Sequence, residues 1–283
     1  MNQHKLKTFY GFKWNPFIPD IPFQALQVTP ETQLFCDRIS DLVFQGGFAA
    51  ILAEPGQGKS CVLRLIYEQL GSQKNVIVKE LTRSQASLND FYRQLCELFG
   101  VSFNTYNRFE GYQTLKNKWR KYIEDTRLSP VILLDEAQAL QSPVLTELKS
   151  LYSENFDSKT LITVVLAGDM RLRDLLESDK DFQPINSRLR HRLVLQTKTP
   201  DELESFLTEA INIAGTPSLM TPGLIRTLAQ NSMGNLRSLM ILANECLFEA
   251  ARRELRFVDE SIYLDLTKTN TLRKQDRAKK TSI

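Results

Sequence analysis

Residues 53–60 read AEPGQGKS, and this stretch decides the fold. The apolar run FAAILAE, from Phe48 to Glu54, leads into it and predicts a short buried strand. The segment SCVLRLIYEQLG follows, with apolar residues at helical spacing and Gly71 at its end, which predicts a helix with a glycine stop. The stretch therefore connects a predicted buried strand to the N-terminus of a predicted helix.

A loop in this position binds phosphate when its backbone amides and a helix N-terminus converge on phosphate oxygens. Gly56 and Gly58 supply the permissive backbone, Lys59 is expected to reach the β and γ phosphates, and Ser60 to hold Mg²⁺. Ala53 stands where the P-loop pattern has glycine, and its extra methyl group is tolerable if φ is negative. The predicted nucleotide-contacting residues of the loop are Glu54, Pro55, Gly56, Gln57, Gly58, Lys59, Ser60 and Cys61.

A second buried strand, in PVILLDEAQ (Pro130 to Gln138), ends in two acids. Asp135 is expected to act with Ser60 at Mg²⁺, as the acid partner of a P-loop serine does, and Glu136 to polarise the attacking water. Acids at the solvated end of a strand are common, so this pair is evidence for a catalytic site only together with the loop. Together the two motifs predict Mg²⁺-dependent hydrolysis of ATP.

The strand predicted in TLITVVLAGD ends in Asp169. A polar side chain there is expected to lie between the two motifs in the sheet, close to the γ-phosphate, as a sensor. Phosphate repels an aspartate unless the carboxylate is linked to Mg²⁺ or turned away. The sequence therefore leaves open whether Asp169 acts as a sensor of the γ-phosphate.

Arginines form a further group of candidates. Arg188, Arg190 and Arg192 precede or enter another short strand, HRLVLQT, and a guanidinium there can reach the γ-phosphate of a neighbouring subunit. Arg192 is the first choice and Arg188 the second, with a basic surface as the alternative for at least one of the three. Such a finger acts in trans and requires an oligomer. Arg237, in GNLRSLM, is the candidate for an arginine that contacts the nucleotide from a lid.

The order of the elements predicts an α/β fold. Strands that are apolar on both faces alternate with helices, which indicates a parallel sheet covered by helices on both faces. From Thr199 the pattern is all helical and opens with a capping box, Thr199 to Glu202. Ser142 is predicted to cap a helix in the first domain. The expected domains are an N-terminal segment 1–30, an α/β domain 31–198, a helical lid 199–266 and a basic tail 267–283.

Composition places the chain among ordinary globular proteins. Its 283 residues are 42% hydrophobic and 24% charged, without an apolar run long enough for a membrane span or a secretory signal. The four scattered cysteines indicate a reducing compartment, so we expect a cytoplasmic protein. From Thr267 onward, six basic residues face one acid. This tail is either solvated or in contact with a polyanion.

The motif order resembles that of AAA+ ATPases: phosphate loop, acid pair, sensor, arginine-rich segment and helical lid. The N-terminal FYGFKWNPF (Phe9 to Phe17) and the lid motif GNLR resemble the ExeA-like group, which includes the transposition regulators TnsC and TniB and is similar in role to MuB and IstB. The resemblance covers Phe9 to Leu266 and implies a P-loop AAA+ domain with a lid. It further implies that Tyr10, Asn15 and Phe17 lie near the adenine.

The same resemblance implies a role in DNA transposition and recombination. The family members form ATP-dependent homo-oligomeric rings or filaments on double-stranded DNA, without sequence specificity, and recruit a transposase, with a targeting protein as a further partner. Hydrolysis then disassembles them. Basic and small polar residues after the second strand fit backbone contact of this kind. The candidate DNA-contacting residues are Lys79, Arg83, Ser84, Thr105 and Arg108.

Two other functions belong to the same broad class. A secretion-type ExeA ATPase assembles an envelope complex and carries a membrane span and a peptidoglycan-binding region after the ATPase. A replication initiator or loader appends a winged helix or helix-turn-helix. The sequence after Ile262 is too short for either addition, so we expect the transposition regulator.

Overall fold

The computed structural model describes residues 3–82, 87–102, 104 and 107–268. Strands and helices alternate along the first two thirds of this part, as the apolar runs and helical periodicities predict. The described strands are β1 (Gly47–Ala53), β2 (Val76–Leu81), β3 (Ser129–Leu134), β4 (Ser153–Glu154), β5 (Lys159–Thr160), β6 (Thr163–Gly168) and β7 (Leu189–Leu195).

The helices carry the labels α1 to α12 within the same described residues. They are α1 (Gln3–Tyr10), α2 (Pro30–Gln45), α3 (Lys59–Gly71), α4 (Leu88–Leu98), α5 (Arg108–Asp125), α6 (Ser142–Tyr152), α7 (Met170–Ser178), α8 (Gln183–Asn186), α9 (Pro200–Ile213), α10 (Pro222–Asn231), α11 (Leu236–Arg252) and α12 (260–268). None of these described helices combines the length and the apolar composition that a membrane-spanning helix needs.

The chain separates into two units. The sheet unit comprises Val28–Gln196, and the helical unit comprises Met1–Gln27 together with Thr197–Ile283. Each unit has its own buried cluster of apolar side chains, which is what allows a segment to form a domain.

The sheet unit is built on five parallel strands in the order β2-β3-β6-β1-β7. β6 pairs with β1 on one side and with β3 on the other, so the third buried strand lies between the two motif-bearing strands, as predicted. Leu52 of β1 is opposite Gly168, and Leu134 of β3 is opposite Leu166. The carboxyl ends of the three strands therefore lie side by side.

Helices cover both faces of this sheet, which confirms the predicted α/β class. Every residue of β1 and β6 is buried, because a strand between two helical layers has no solvated face. Phe48, Ala50 and Leu52 pack into the cluster formed with α4 to α8. The alternate residues of β1 point to the opposite face, where α2 and α3 contact the strand.

A small antiparallel hairpin, β4–β5, was not predicted. The hairpin precedes β6. The sequence interpretation had placed Thr160, the last residue of β5, at the start of the strand that contains β6. Asn155, Phe156 and Asp157 form its tip, all with φ between 53° and 65°. The short turn requires left-handed backbone at all three residues, and the apolar pattern of a segment carries no signal for it.

The second segment of the helical unit begins close to Thr199, and the capping box predicted there is present. Glu202 N donates to Thr199 Oγ1 at 3.2 Å, and Thr199 N donates to Glu202 Oε2 at 2.7 Å. The predicted cap at Ser142 in the other unit is wrong by one residue. Gln141 is the N-cap of α6, because Ser142 already has helical backbone.

The N-terminal segment packs into the helical unit, a grouping that the sequence did not predict. Leu6, Phe12 and Phe17 belong to the same buried cluster as the apolar faces of α9 to α11. Asn15 is 6% exposed, and its Nδ2 donates to Asn244 Oδ1 at 3.0 Å. Tyr10 Oη donates to the Leu255 carbonyl at 2.9 Å, and burial raises the pKa of this phenol to about 12.

Candidate nucleotide-binding site

The loop from Glu54 to Gly58 connects β1 to α3, as predicted. Gly56 has φ of 87° and Gly58 has φ of 101°, which are left-handed conformations that glycine adopts without steric cost. Cys61 N and Val62 N donate to Gly58 O at 3.0 and 3.1 Å, so helical hydrogen bonding begins at residue 61. The amides of the three residues before Cys61 lie at the open N-terminus of α3, where the helix dipole favours an anion.

Ala53 fits the loop without distortion. It is the last residue of β1 and is paired with Leu195, so its backbone is extended and accepts a Cβ. Lys59 Nζ donates to the Ala53 carbonyl at 3.2 Å. The lysine is 7% exposed, and within the described residues no carboxylate forms an ion pair with it.

This buried ammonium fits a phosphate. It has three N–H donors, of which the described residues take one, through the neutral Ala53 carbonyl. A buried charge is costly unless it is paired, and the helix N-terminus beside it is itself electropositive. Both features favour an anion at this position.

The acid pair follows β3 directly. Asp135 Oδ1 accepts a hydrogen bond from Glu136 N at 2.9 Å, and Glu136 has φ of 52°, a strained value for a side chain of this size. Since β3 and β1 flank β6, the acids and the loop share one edge of the sheet. Glu136 is exposed at this edge.

The oxygen donors suit Mg²⁺ rather than a fully protein-bound metal. The described residues contain no group of three or more His, Cys, Asp or Glu side chains that could enclose an ion. Mg²⁺ is commonly held by one or two protein oxygens together with phosphate oxygens and waters. Ser60 and Asp135 match that donor set.

The carboxylate of Asp169 forms its hydrogen bonds with Arg171 at the start of α7. It caps α7 by accepting from Arg171 N at 2.9 Å, and it accepts from Arg171 Nε and Nη2 at 2.8 and 2.6 Å. These bonds from Arg171 hold the pKa of Asp169 below its usual range, and the charge of Lys59 lowers it further. A sensor role for Asp169 stays a prediction.

Gln138 is a polar residue that the sequence interpretation did not assign to the site. It follows the acid pair by two residues and contacts both Glu136 and the backbone of Asp169. A pattern of strand and acids cannot reveal it, because the contact with Asp169 spans 31 residues of sequence.

The three candidate arginines differ in their contacts. Arg188 forms an ion pair with Asp157 at the hairpin tip and donates to the Pro184 carbonyl at 2.7 Å. Arg192 donates to Glu177 Oε1 at 3.3 Å and to Asn186.

Arg190 has a different setting. Phe48 is opposite Leu189 and Ala49 is opposite His191, so Arg190 is the extra residue of a β-bulge. It is exposed, and no described residue forms an ion pair with it. All three arginines remain candidates for a trans-acting finger.

The other predicted residues belong to elements that carry neither the loop nor the acid pair. Arg237 is exposed near the start of α11, and Tyr10, Asn15 and Phe17 pack within the helical unit, so their contact with a nucleotide stays a prediction. Lys79 is half-buried in β2, and Arg108 is exposed at the start of α5. The DNA-contact candidates Arg83, Ser84 and Thr105 lie outside the described residues.

Comparison with known proteins gives a family match for much of the sheet unit. Residues 41–176 match a family model described as an AAA domain. The chain is similar to general secretion pathway protein A of Aeromonas hydrophila, with 25% identity over 212 residues that cover 74% of this chain and 38% of that protein. It therefore spans well under half the length of this curated relative.

Solved structures with the same fold include two ORC proteins and a Cdc6p. The ORC2 protein of Aeropyrum pernix, in ADPNP and ADP complexes, has a TM-score of 0.71 at 13% identity, over 92% of this chain and 72% of that chain. The ORC1 protein of the same organism, in complex with DNA, has a TM-score of 0.63 at 19% identity, over 90% and 68%. Cdc6p of Pyrobaculum aerophilum has a TM-score of 0.64 at 13% identity, over 86% and 67%.

At these identities the structural likeness concerns the fold alone. It agrees with the family match and with the strand order around the phosphate loop. Residues 41–176 thus match an AAA domain, and this range contains the phosphate loop and the acid pair.

Proposed function

We propose that this protein binds ATP at the loop after β1 and hydrolyses it with the aid of Glu136. The amides at the start of α3 and the ammonium of Lys59 bind the phosphates. Ser60 and Asp135 hold Mg²⁺, which supplies positive charge to the phosphate oxygens when it is bound. Glu136 polarises the water that attacks the γ-phosphate.

One observation carries this proposal. Lys59 is buried at the electropositive end of a helix, and its ammonium contacts one neutral carbonyl and no carboxylate of the described chain. Without an anion, this position is electrostatically unfavourable. Evolved cores rarely keep such a charge without a ligand that uses it.

The proposal extends to assembly on double-stranded DNA. The protein forms a homo-oligomer in which an arginine from the Arg188, Arg190 and Arg192 group reaches a neighbour's γ-phosphate. The oligomer contacts the DNA backbone without reading sequence, recruits a transposase to the target, and disassembles on hydrolysis. The support is the resemblance of the N-terminal and lid motifs to transposition regulators, and the DNA complex of one structural relative.

Negative-stain microscopy tests the assembly directly. Purified protein is imaged on linear double-stranded DNA with ATP, a non-hydrolysable analogue, ADP or no nucleotide. We expect ordered rings or filaments with ATP or the analogue alone. No DNA association in any state contradicts the DNA and transposition parts and leaves hydrolysis to be judged by phosphate release.

The variant Glu136→Gln separates binding from hydrolysis. Loss of the carboxylate removes the group that polarises water, so we expect phosphate release to fall by about 10² to 10⁴-fold. Binding of a fluorescent ATP analogue should stay close to wild type, and DNA assemblies should persist longer. Normal hydrolysis by this variant would show that a group other than the Glu136 carboxylate polarises the attacking water.

The curated relative supports a second candidate, a secretion-type ATPase that works in envelope assembly. General secretion pathway protein A matches 74% of this chain. This function predicts nucleotide-dependent oligomers that form equally well without DNA. The microscopy experiment distinguishes the two candidates by including a sample with nucleotide and no DNA.

A further inference from the structure

Gln138 connects the acid pair to the end of the neighbouring strand. It lies in the short 3₁₀ turn Ala137–Ala139 after β3. Its Nε2 donates to Glu136 Oε2 at 2.5 Å, and its Oε1 accepts from Asp169 N at 3.3 Å. One side chain therefore joins the carboxylate after β3 to the backbone at the end of β6.

The side-chain amide of Gln138 packs closely against Gly168 at the end of β6. A Cβ placed on Gly168 would lie 2.6 Å from Gln138 Oε1, so the glycine leaves the space that the side-chain carbonyl occupies. The bond from Asp169 N determines which end of the amide faces β6, because only the oxygen can accept it. The NH₂ group is then directed to Glu136, which can only accept.

Asp169 cannot perform this task. Its carboxylate caps α7 and is bonded to the Arg171 guanidinium, and it would repel Glu136 rather than hold it. Gln138, by contrast, is uncharged and offers a donor to Glu136. Of the two residues, Gln138 is therefore the neutral polar group at this edge of the sheet.

We propose that Gln138 is a positioning residue for ATP hydrolysis: its amide orients the Glu136 carboxylate and ties it to the end of β6. The inference rests on the proposed function, because it assigns a task within that reaction. Glu136 is exposed on left-handed backbone, so its carboxylate has few packing contacts to orient it. The hydrogen bond from Gln138 orients the Glu136 carboxylate. Through the same Gln138 side chain, a movement at the end of β6 would displace that carboxylate.

Two substitutions separate the two hydrogen bonds. Gln138→Met keeps the length of the side chain and loses both bonds. Gln138→Glu keeps an acceptor for Asp169 N, loses the donor and places a second carboxylate beside Glu136. Gln141→Met is the matched control, because Gln141 is an exposed glutamine in the same segment without a side-chain cap bond.

Steady-state hydrolysis of ATP is measured for each variant, with binding of a fluorescent ATP analogue and the melting temperature alongside. We expect Gln138→Met to lower kcat by about tenfold to a hundredfold, since small errors in the position of a reacting group have effects of this size. KM should stay within about threefold of wild type. Gln138→Glu should lose at least as much, and Gln141→Met should lose nothing.

A third comparison tests whether Gln138 acts through Glu136. Introduced into the Glu136→Gln protein, Gln138→Met should cause no further loss, because residues that act as a unit are not additive. A full further loss overturns the proposal.

Other outcomes also overturn it. Wild-type kcat in both Gln138 variants shows that the contact is not used. Loss in Gln138→Met with retention in Gln138→Glu assigns importance to the Asp169 bond alone. A raised KM with unchanged kcat assigns Gln138 to nucleotide binding. If the wild-type protein itself releases no phosphate, the proposed hydrolysis fails first, and the inference fails with it.

Discussion

Two buried lysines of the sheet unit show how similar burial can have different meanings. Lys59 is 7% exposed and Lys116 is 8% exposed. The ammonium of Lys116 donates to Tyr112 Oη at 3.0 Å and to the carbonyls of Ser150 and Ser153 at 3.2 and 2.7 Å. All three of its donors are used, whereas Lys59 uses one on the Ala53 carbonyl.

The helix ends beside them differ as well. Lys116 faces carbonyls at the C-terminus of α6, the negative end of a helix dipole, and lies over the Tyr112 ring at 5.1 Å. Lys59 is the first residue of α3, at the positive end. The donors of Lys116 are all used within the chain, whereas Lys59 has donors left for the anion that we propose. Burial alone therefore does not indicate a binding site, and the open donors of Lys59 are what favour one.

The largest expected effect comes from Lys59→Met. This change removes the buried cation that is proposed to contact the phosphates, so ATP binding should weaken by about a hundredfold or more. Without nucleotide the melting temperature should be unchanged or higher, because an unfavourable buried charge is lost. Binding is measured by fluorescence titration and stability by calorimetry. A large loss of stability without nucleotide would mean that Lys59 is a structural residue like Lys116.

The matched change, Lys116→Met, should give the opposite result. It leaves two backbone carbonyls without their donor and should lower the free energy of unfolding by about 1–3 kcal/mol. ATP binding should remain at the wild-type level, since Lys116 is not predicted to contact the nucleotide. Urea denaturation and the same titration check both expectations. A protein of unchanged stability would show that these bonds make no net contribution.

A smaller effect is expected at the hairpin base, next to Lys116. Glu154 forms ion pairs with Arg120 at 2.6 Å and Lys159 at 3.3 Å. The hydrogen bond from Arg120 is the main reason that the pKa of Glu154 lies below its usual range. Because the folded pKa is depressed, the stabilisation is present above the unfolded value of about 4.3 and is lost as the pH falls through the lower folded value.

Glu154→Gln should therefore lower the free energy of unfolding by up to about 1 kcal/mol at pH 7, in line with partly exposed ion pairs. Urea denaturation at pH 7, pH 5 and below pH 4 measures how the difference from wild type varies. The difference should disappear once the pH lies below the folded pKa of Glu154, where the side chains of both proteins are neutral. A constant difference at every pH would indicate lost packing rather than lost charge.

Local patterns were enough to predict most of the sheet unit. The apolar runs of β1, β3 and β6 are each flanked by turn residues, so the strands follow from hydrophobic burial. The AEPGQGKS loop and the Thr199 capping box depend on neighbours within four residues, and the structure confirms both. Signals of this kind are local because the hydrogen bonds that they describe are local.

The tertiary structure decided what depends on distant residues. The bond between Gln138 and Asp169, the pairing of Arg188 with Asp157, and the packing of the N-terminal segment against α11 join residues separated by 31, 31 and more than 200 positions. The sequence placed Asp169 at the correct strand end but could not show that Arg171 takes its carboxylate.

The sequence by itself therefore determined the strands and the loop at the proposed phosphate site, and the chemistry expected there. Hydrophobic runs and glycine spacing dictate local backbone, and parallel strands bring their carboxyl ends together. Only the folded chain decided which charges its own residues satisfy and which are left for a ligand. That depends on distances between residues far apart in the chain, as the contrast between Lys59 and Lys116 shows.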